Sequence, residues 1–370
     1  MTSPTTAPDA DPAGDEPPVR PSVHVPWWPI VAAFAVLASL IGSATVHLPY
    51  YAIAPGSALD VVPLVHVSTG NPAYAPKGDI YLCTVSLKQT TVLEALEGWL
   101  DPDIDVVPEK QIVPPSVHQD KLQNFNLQLM DTSKEQALAI AFEQLGYQTI
   151  TGKGAQVAEI RAHTPADGVL VPGDTITAID GTATELHTDA VRILGQHKPG
   201  DTVKLTIVGK DGGAPHAVTV TLAANPDIKT RALLGVTLQT REPGFTFPYK
   251  VDIDSQGIGG PSAGLAFTLE VLDVLTKGEL TGGHKVAATG TIELDGSVGD
   301  VGGVAQKTVA VKRAGVKLFL VPTDEVKEAR AHAGKGLRVE PVGNIHDALR
   351  ILATLGGNGL ALERPGDNGA

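Results

Sequence analysis

From Trp27 to Val46 the chain runs for twenty residues without a charge, most of it reading IVAAFAVLASLIGSATV. No other feature constrains the fold as strongly. About twenty apolar residues in a helix cross the hydrocarbon core of a bilayer. Trp27 and Trp28 stand at one end, and Tyr50 and Tyr51 at the other, where amphipathic rings suit the two interfaces. The run is expected to be an uncleaved anchor over 27–46. A cleaved signal peptide is the competing reading, since Gly42-x-Ala44 is a passable cleavage site. The region before the run is long and acidic rather than short and basic, which argues for the anchor. A buried core helix fits poorly beside the polar stretch that precedes it. Residues 1–26 are rich in Pro, Ala, Thr and Asp, hold Asp9, Asp11, Asp15 and Glu16 against Arg20, and are expected to be a disordered tail. Arg20 precedes the run and no Lys or Arg follows until Lys77. That balance places the amino terminus inside and the body outside. The expectation is a single-pass plasma-membrane protein with an extracytoplasmic body.

Composition narrows the function of that body. The formal charge is −13, from 41 acidic and 28 basic residues, which opposes nucleic acid as a partner because binding there needs clustered Lys and Arg. One cysteine rules out an intramolecular disulfide framework and a Cys-rich zinc site. Metal-ligand spacing is absent, and neither a metal nor a cofactor is expected. Aromatics are only 4%, so the cores must come from Val, Leu, Ile and Ala. Mean hydropathy is +0.07, high for a chain with two polar tails. Residues 356–370 are rich in Gly, Asn and Asp and are expected to be flexible.

Residues 47–130 read as a mixed segment that packs with later domains. Strands are expected at Val61–Val67 and Asp79–Leu87, a helix at Thr91–Leu100 and a loop over 101–122. A second helix is expected to start near Asp131-Thr132-Ser133, where Ser133-x-x-Gln136 fits a capping box and Ala137, Ile140, Ala141 and Leu145 form a stripe.

Residues 154–224 alternate short strands with turns. Thr164-Pro165-Ala166 is followed by Leu170, Pro172-Gly173-Asp174-Thr175-Ile176 and Ile179-Asp180-Gly181. A second Pro199-Gly200-Asp201 precedes the strand Val203–Val208, a helix is expected at Thr188–Gly195, and Ala217–Leu222 is a further strand. The glycines serve tight turns in which Asp174 can bind backbone amides. This series resembles a PDZ domain of the bacterial protease-associated type, assigned to 131–228 with its leading helix. The resemblance implies β-augmentation, in which an extended peptide adds to a sheet edge beside a helix. A generic small β-barrel is the plainer alternative.

Residues 257–264 read Gly-Ile-Gly-Gly-Pro-Ser-Ala-Gly, and an apolar helix follows with Leu265, Leu269, Leu272 and Thr276 on one face. Pro261 suits a first helical turn. Ser262 then lies where backbone N–H groups are unpaired and an oxyanion can be held. Gly260, Pro261 and Ala263 are the expected backbone support. Taken alone, such a helix start is as readily structural. The second piece is Gly302-Gly303-Val304-Ala305-Gln306-Lys307. On a helical wheel Val304, Ala310, Val311 and Ala314 form one stripe, with Lys307 at its centre and Lys312 and Arg313 opposite. Desolvation there favours the neutral amine, which can take a proton from a serine. A lysine snorkelling at a helix edge is the alternative.

Joined, the two pieces resemble the Lon protease domain, a Ser–Lys peptidase, over roughly 235–350. GPSAG matches the segment that carries the family's nucleophile, at Ser262. GGVAQK matches the segment that carries its lysine, at Lys307. Ala288-Thr289-Gly290-Thr291-Ile292 matches a strand whose threonine hydrogen-bonds that lysine in the family, which implies the role for Thr289. Gly259 and Thr291 depart from the ATP-dependent branch, which carries acids there. No Gly-x-x-x-x-Gly-Lys-Ser/Thr occurs, so the ATPase motor and ATP itself are not expected. Anchor, PDZ segment and motorless Lon segment together resemble the membrane-anchored Lon-like PDZ proteases of bacteria. The fold class implied is α+β, with an N-terminal transmembrane helix, a PDZ-type β-barrel and a Lon-type α+β proteolytic domain at 229–355. The function implied is an ATP-independent serine endopeptidase acting on unfolded or flexible chains, with a ring-shaped homo-oligomer, a hexamer by family analogy. A membrane-tethered PDZ scaffold with an inactive Lon-like domain is the alternative. GPSAG also satisfies Gly-x-Ser-x-Gly, but an α/β-hydrolase using Asp324 and His346 would leave Lys307 and Gly302-Gly303 unexplained.

Overall fold

The structure, a computed structural model, describes residues 26–115, 117–118, 121–363 and 365. The expected tail 1–26, apart from Pro26, lies outside the described residues, as do 364 and 366–370 of the expected carboxyl-terminal tail.

The helix α1 (Trp28–Thr45) has Pro in its first turn, and none of its described side chains is buried. It is long and apolar enough to cross a membrane, a test that a signal sequence also passes. Val46 alone separates it from β1 (His47–Asp60). There follow β2 (Val65–Val67), β3 (Asp79–Thr91), α2 (Val92–Leu100), β4 (Asp105–Pro108), α3 (Glu109–Ile112) and α4 (Leu122–Gln144). The expected strand at Val61–Val67 is a 3-10 turn at Val62–Leu64 before the shorter β2, and the expected loop 101–122 contains β4 and α3. Thr91 caps α2 by accepting from Glu94 N–H while Glu94 accepts from Thr91 N–H. The Ser133 capping box is not used. α4 begins at Leu122 and runs through that position, and Ser133 Oγ donates across to Pro261 O at 3.0 Å.

The middle of the chain holds β5 (Ile150–Thr151), β6 (Ala155–Ile160), β7 (Thr175–Ile179), β8 (Thr182–Ala183) and α5 (His187–Leu194). β9 (Thr202–Val208), β10 (His216–Thr221), β11 (Ala223–Ala224), β12 (Ala232–Leu233), β13 (Val236–Thr240) and β14 (Gly244–Phe245) follow. Its main sheet has the order β10-β9-β7-β6-β13, with β8 paired to β7, over a core that includes Ile176, Ile179, Ala190 and Leu205. The Pro-Gly-Asp turns behave as their chemistry dictates. Asp174 Oδ2 accepts from Val171 N–H at 2.9 Å, and Asp201 Oδ2 accepts from Lys198 N–H at 2.7 Å. The assigned PDZ segment 131–228 begins inside α4 and stops before β13. Yet α4 packs on a later helix in a separate core, while β13 pairs with β6.

The last stretch runs through β15 (Val251–Ile253), a 3-10 turn (Pro261–Ala263), α6 (Gly264–Leu275), β16 (Lys285–Ala288), β17 (Thr291–Ile292) and β18 (Val298–Gly299). It continues with α7 (Val304–Arg313), β19 (Leu318–Pro322), α8 (Val326–Ala333), β20 (Arg338–Val342) and α9 (Ile345–Ala353). A six-stranded sheet of order β20-β19-β16-β3-β1-β4 joins this stretch to the beginning of the chain. β16 is parallel to both β19 and β3, with Lys285 opposite Asp79. Both faces of the sheet are covered, so β19 is buried at every position, as an all-apolar strand requires. Leu318 and Leu320 enter the core shared with α4 and α6, and Phe319 and Val321 the core shared with α7 and α8. The fold is α+β.

The chain enters and leaves the middle stretch side by side. β5 pairs with β14, and Thr246 N–H donates to Thr149 O at 2.9 Å. Phe142, Tyr147, Phe245, Phe247 and Tyr249 gather there, with ring centroids 5.7–6.1 Å apart.

Candidate active site

β1, β3, the turn before α6 and the first turn of α7 line one cleft of about 600 Å³, whose lining includes Ser262, Lys307, Gly260, Ala263, Cys83 and Asp300. Ser262 sits in the 3-10 turn that leads into α6. That turn can approach β17 and α4 closely because Gly264 has no side chain. A Cβ there would come within 2.9 Å of Ile292 Cγ2, Ile292 N and Ser133 Oγ. Every residue of α6 is buried, so the stripe expected from Leu265, Leu269 and Leu272 is only part of its contact surface.

Lys307 lies in α7, whose N-cap Gly303 is in the left-handed region at φ 68°. A Cβ on Gly303 would meet Val85 Cγ1 at 2.8 Å, so this glycine serves both the backbone turn and the close approach to β3. Gln306 Nε2 donates to Asp105 Oδ2 at 2.8 Å and ties α7 to β4. Lys307 is 2% exposed. Burial holds its amine below the usual lysine range, opposed by Cys83 and Glu325. Its Nζ donates to Thr289 Oγ1 at 3.3 Å. Thr289 is fully buried just beyond β16, and its Oγ1 donates to Ser262 O at 3.3 Å. Gly290 N–H donates to the same carbonyl at 3.0 Å. The threonine hydroxyl therefore fixes the serine backbone and the lysine amine together. Among the described residues no hydrogen bond links Ser262 Oγ to Lys307 Nζ directly.

Two of the expected oxyanion supports are not donors here. Gly260 N–H is committed to Asn126 O at 2.8 Å. Pro261 has no N–H, and its carbonyl accepts from Ser133. Of the three, only Ala263 keeps an amide as a candidate at this turn.

Two residues beside the lysine were not marked by any sequence motif. Cys83 is buried, and burial pushes its thiol up to about 11, so it is protonated at neutral pH. Glu325, in the 3-10 turn after β19, is pushed up to about 7 by burial, with Lys307 acting in the opposite sense. Its Oε2 is buried without a hydrogen-bond partner among the described residues. Asp324 and His346 are not in the lining of the Ser262 cleft. Among the described residues no cluster of His, Cys, Asp or Glu is arranged to hold a metal.

Residues 255–354 match the Lon protease (S16) C-terminal proteolytic domain, and residues 131–222 match the PDZ domain. The chain is 37% identical over 95 residues to the Lon protease of Buchnera aphidicola subsp. Schizaphis graminum, covering 25% of this chain and 12% of that protein. It is 35% identical over 113 residues to Lon protease 1 of Myxococcus xanthus, covering 30% of this chain and 13% of that protein. The aligned part thus spans about an eighth of the length of these relatives. Among solved structures, the PDZ domain of the SdrC-like protein from Listeria monocytogenes is 30% identical, with a TM-score of 0.21, covering 23% of this chain and 87% of that one.

Proposed function

We propose that this chain, which carries a Lon-type proteolytic domain and a PDZ domain, is a membrane-anchored serine endopeptidase that works without ATP. The observation that carries the reading is a lysine amine buried to 2% exposure, held on Thr289, in the same cleft as Ser262. A neutral Lys307 uses one N–H on Thr289 and keeps its lone pair for a proton. Ser262 Oγ bonds to the scissile carbonyl carbon as its proton passes to Lys307 Nζ. Collapse of the tetrahedral adduct breaks the C–N bond, and Lys307 returns the proton to the leaving amine. Water then attacks the ester with Lys307 again as base, and Ser262 is regenerated. Thr289 orients the lysine, and the Ala263 amide faces the developing oxyanion.

The chain divides into an anchor at 27–46, a proteolytic domain assembled from 47–149 and 246–355, and a PDZ domain inserted between them. β13 is an edge strand with α5 alongside it, the place where a recruited peptide adds as a further strand. Without a motor, substrates arrive unfolded or flexible. The body lies outside the plasma membrane, and a homo-oligomeric ring is the expected assembly.

The test is cleavage of unstructured casein. Ser262→Ala and Lys307→Gln should each abolish cleavage while leaving peptide binding intact, and undiminished cleavage by either variant would sink the dyad. The missing direct bond between Ser262 and Lys307 favours a second reading, a tethered PDZ scaffold whose proteolytic domain is inactive. Stoichiometric casein binding without proteolysis by the unmodified chain would support it.

A further inference from the structure

We infer that α2 lies in the membrane interface beside α1, so that the body rests on the bilayer as well as hanging from it. This rests on the anchored reading above. α2 follows β3, whose Thr91 pairs with His47 at the start of β1, and α1 ends only one residue earlier than that strand, with Val46 between them. The pairing puts the start of α2 where α1 leaves the body, and the two helices are in contact. The sequence of α2, VLEALEGWL, sorts by face. Gly98 is buried against Ile104 and Val106, where a Cβ would approach Val106 Cγ2 to 2.7 Å, so that side is seated on the loop and strand that follow. The outer side leaves Leu93, Leu96, Trp99 and Leu100 exposed at 49, 52, 85 and 76%.

An apolar patch of this kind marks an interaction site. Its continuity with the apolar surface of α1 assigns the bilayer as occupant rather than a second copy of the chain. A short helix with Leu and Trp on one face lies in the plane of the interface, and Trp settles at headgroup depth. α2 holds Glu94 and Glu97 but neither Lys nor Arg. Insertion is therefore driven by apolar burial and by the tether, and anionic lipid should not strengthen it.

The experiment uses the full chain in phosphatidylcholine vesicles carrying brominated lipid. The chain has three tryptophans. A Trp27→Phe/Trp28→Phe variant leaves Trp99 as the reporter of α2, and Trp99→Phe leaves Trp27 and Trp28 as reporters of α1. Bromines near the glycerol end should quench Trp99 at least twofold more than bromines at mid-bilayer depth, equally with and without anionic lipid. Leu96→Asp/Leu100→Asp should remove that quenching while leaving the α1 reporters quenched. Quenched α1 reporters with an unquenched Trp99 would overturn the inference and leave the anchor standing. Unquenched reporters on both helices would overturn the anchor, and α2 docking with it. An unquenched Trp99 whose emission shifts to the blue with rising protein concentration would overturn the inference in favour of a second copy.

Discussion

Lys307 is a buried amine and Glu325 a half-buried carboxyl, and each is shifted toward its neutral form because desolvation outweighs their mutual attraction. In the proposed mechanism only the neutral amine acts as base, so kcat/KM should rise with pH through the lowered lysine value. Glu325 pulls that value up. Glu325→Gln should therefore move the acid limb of the profile to lower pH, and a limb that stays in place would separate Glu325 from the lysine. Glu270 in α6 is a fully buried carboxyl, with both oxygens unpartnered among the described residues, pushed up to about 8 by burial. A raised folded-state value means stability that is full below the unfolded value and lost as pH rises through the folded one. Stability should therefore fall between about pH 4.5 and about pH 8. Glu270→Gln should be about 2–4 kcal/mol more favourable relative to the parent at pH 8 than at pH 5, read from urea unfolding at the two pH values.

Where α6 meets β17 and α4, the fit leaves no room for a methyl group. Gly264→Ala should cost about 1–3 kcal/mol through overpacking. It should also lower kcat by displacing the turn that holds Ser262, which thermal unfolding and single-turnover cleavage would register. How far such elements can be read from sequence depends on how local their causes are. The Pro-Gly-Asp turns were legible because a carboxylate capping amides three residues away is a property of the segment itself. The burial of Lys307 was legible only in part: Val304, Ala310 and Val311 of its stripe are buried, but so are Gln306 and Thr308, while Ala314 is exposed. The start of α4 was not. Ser133 is chemically able to cap a helix, and only a long-range bond to Pro261 shows that its hydroxyl is used elsewhere. Nor could periodicity reveal that β3 lies beside β16, since Asp79 and Lys285 meet across the whole PDZ segment. Glu325 was hidden for the same reason, being an ordinary acid after a strand until folding half-buries it near the lysine.

At the scale of the molecule, the middle sheet enters and leaves through the β5–β14 pair, while the six-stranded sheet draws on both ends of the chain. Joining Thr149 directly to Thr246 removes no strand of that larger sheet. The shortened chain should retain casein cleavage and lose peptide binding, measured by gel assay and calorimetry. The fragment 255–354 alone lacks β1, β3 and β4, and leaves the β16 edge bare. It should show no cooperative unfolding transition by circular dichroism. The junction at Val46 has a different consequence. β1 leaves α1 without a linker, and Ile53 on that strand already lines the cleft, no more than about 25 Å of chain away. On the anchored reading, the cutting point is a blade on a rigid arm whose working height above the bilayer is set by half a strand. Substrates embedded in the same membrane would be trimmed at that height.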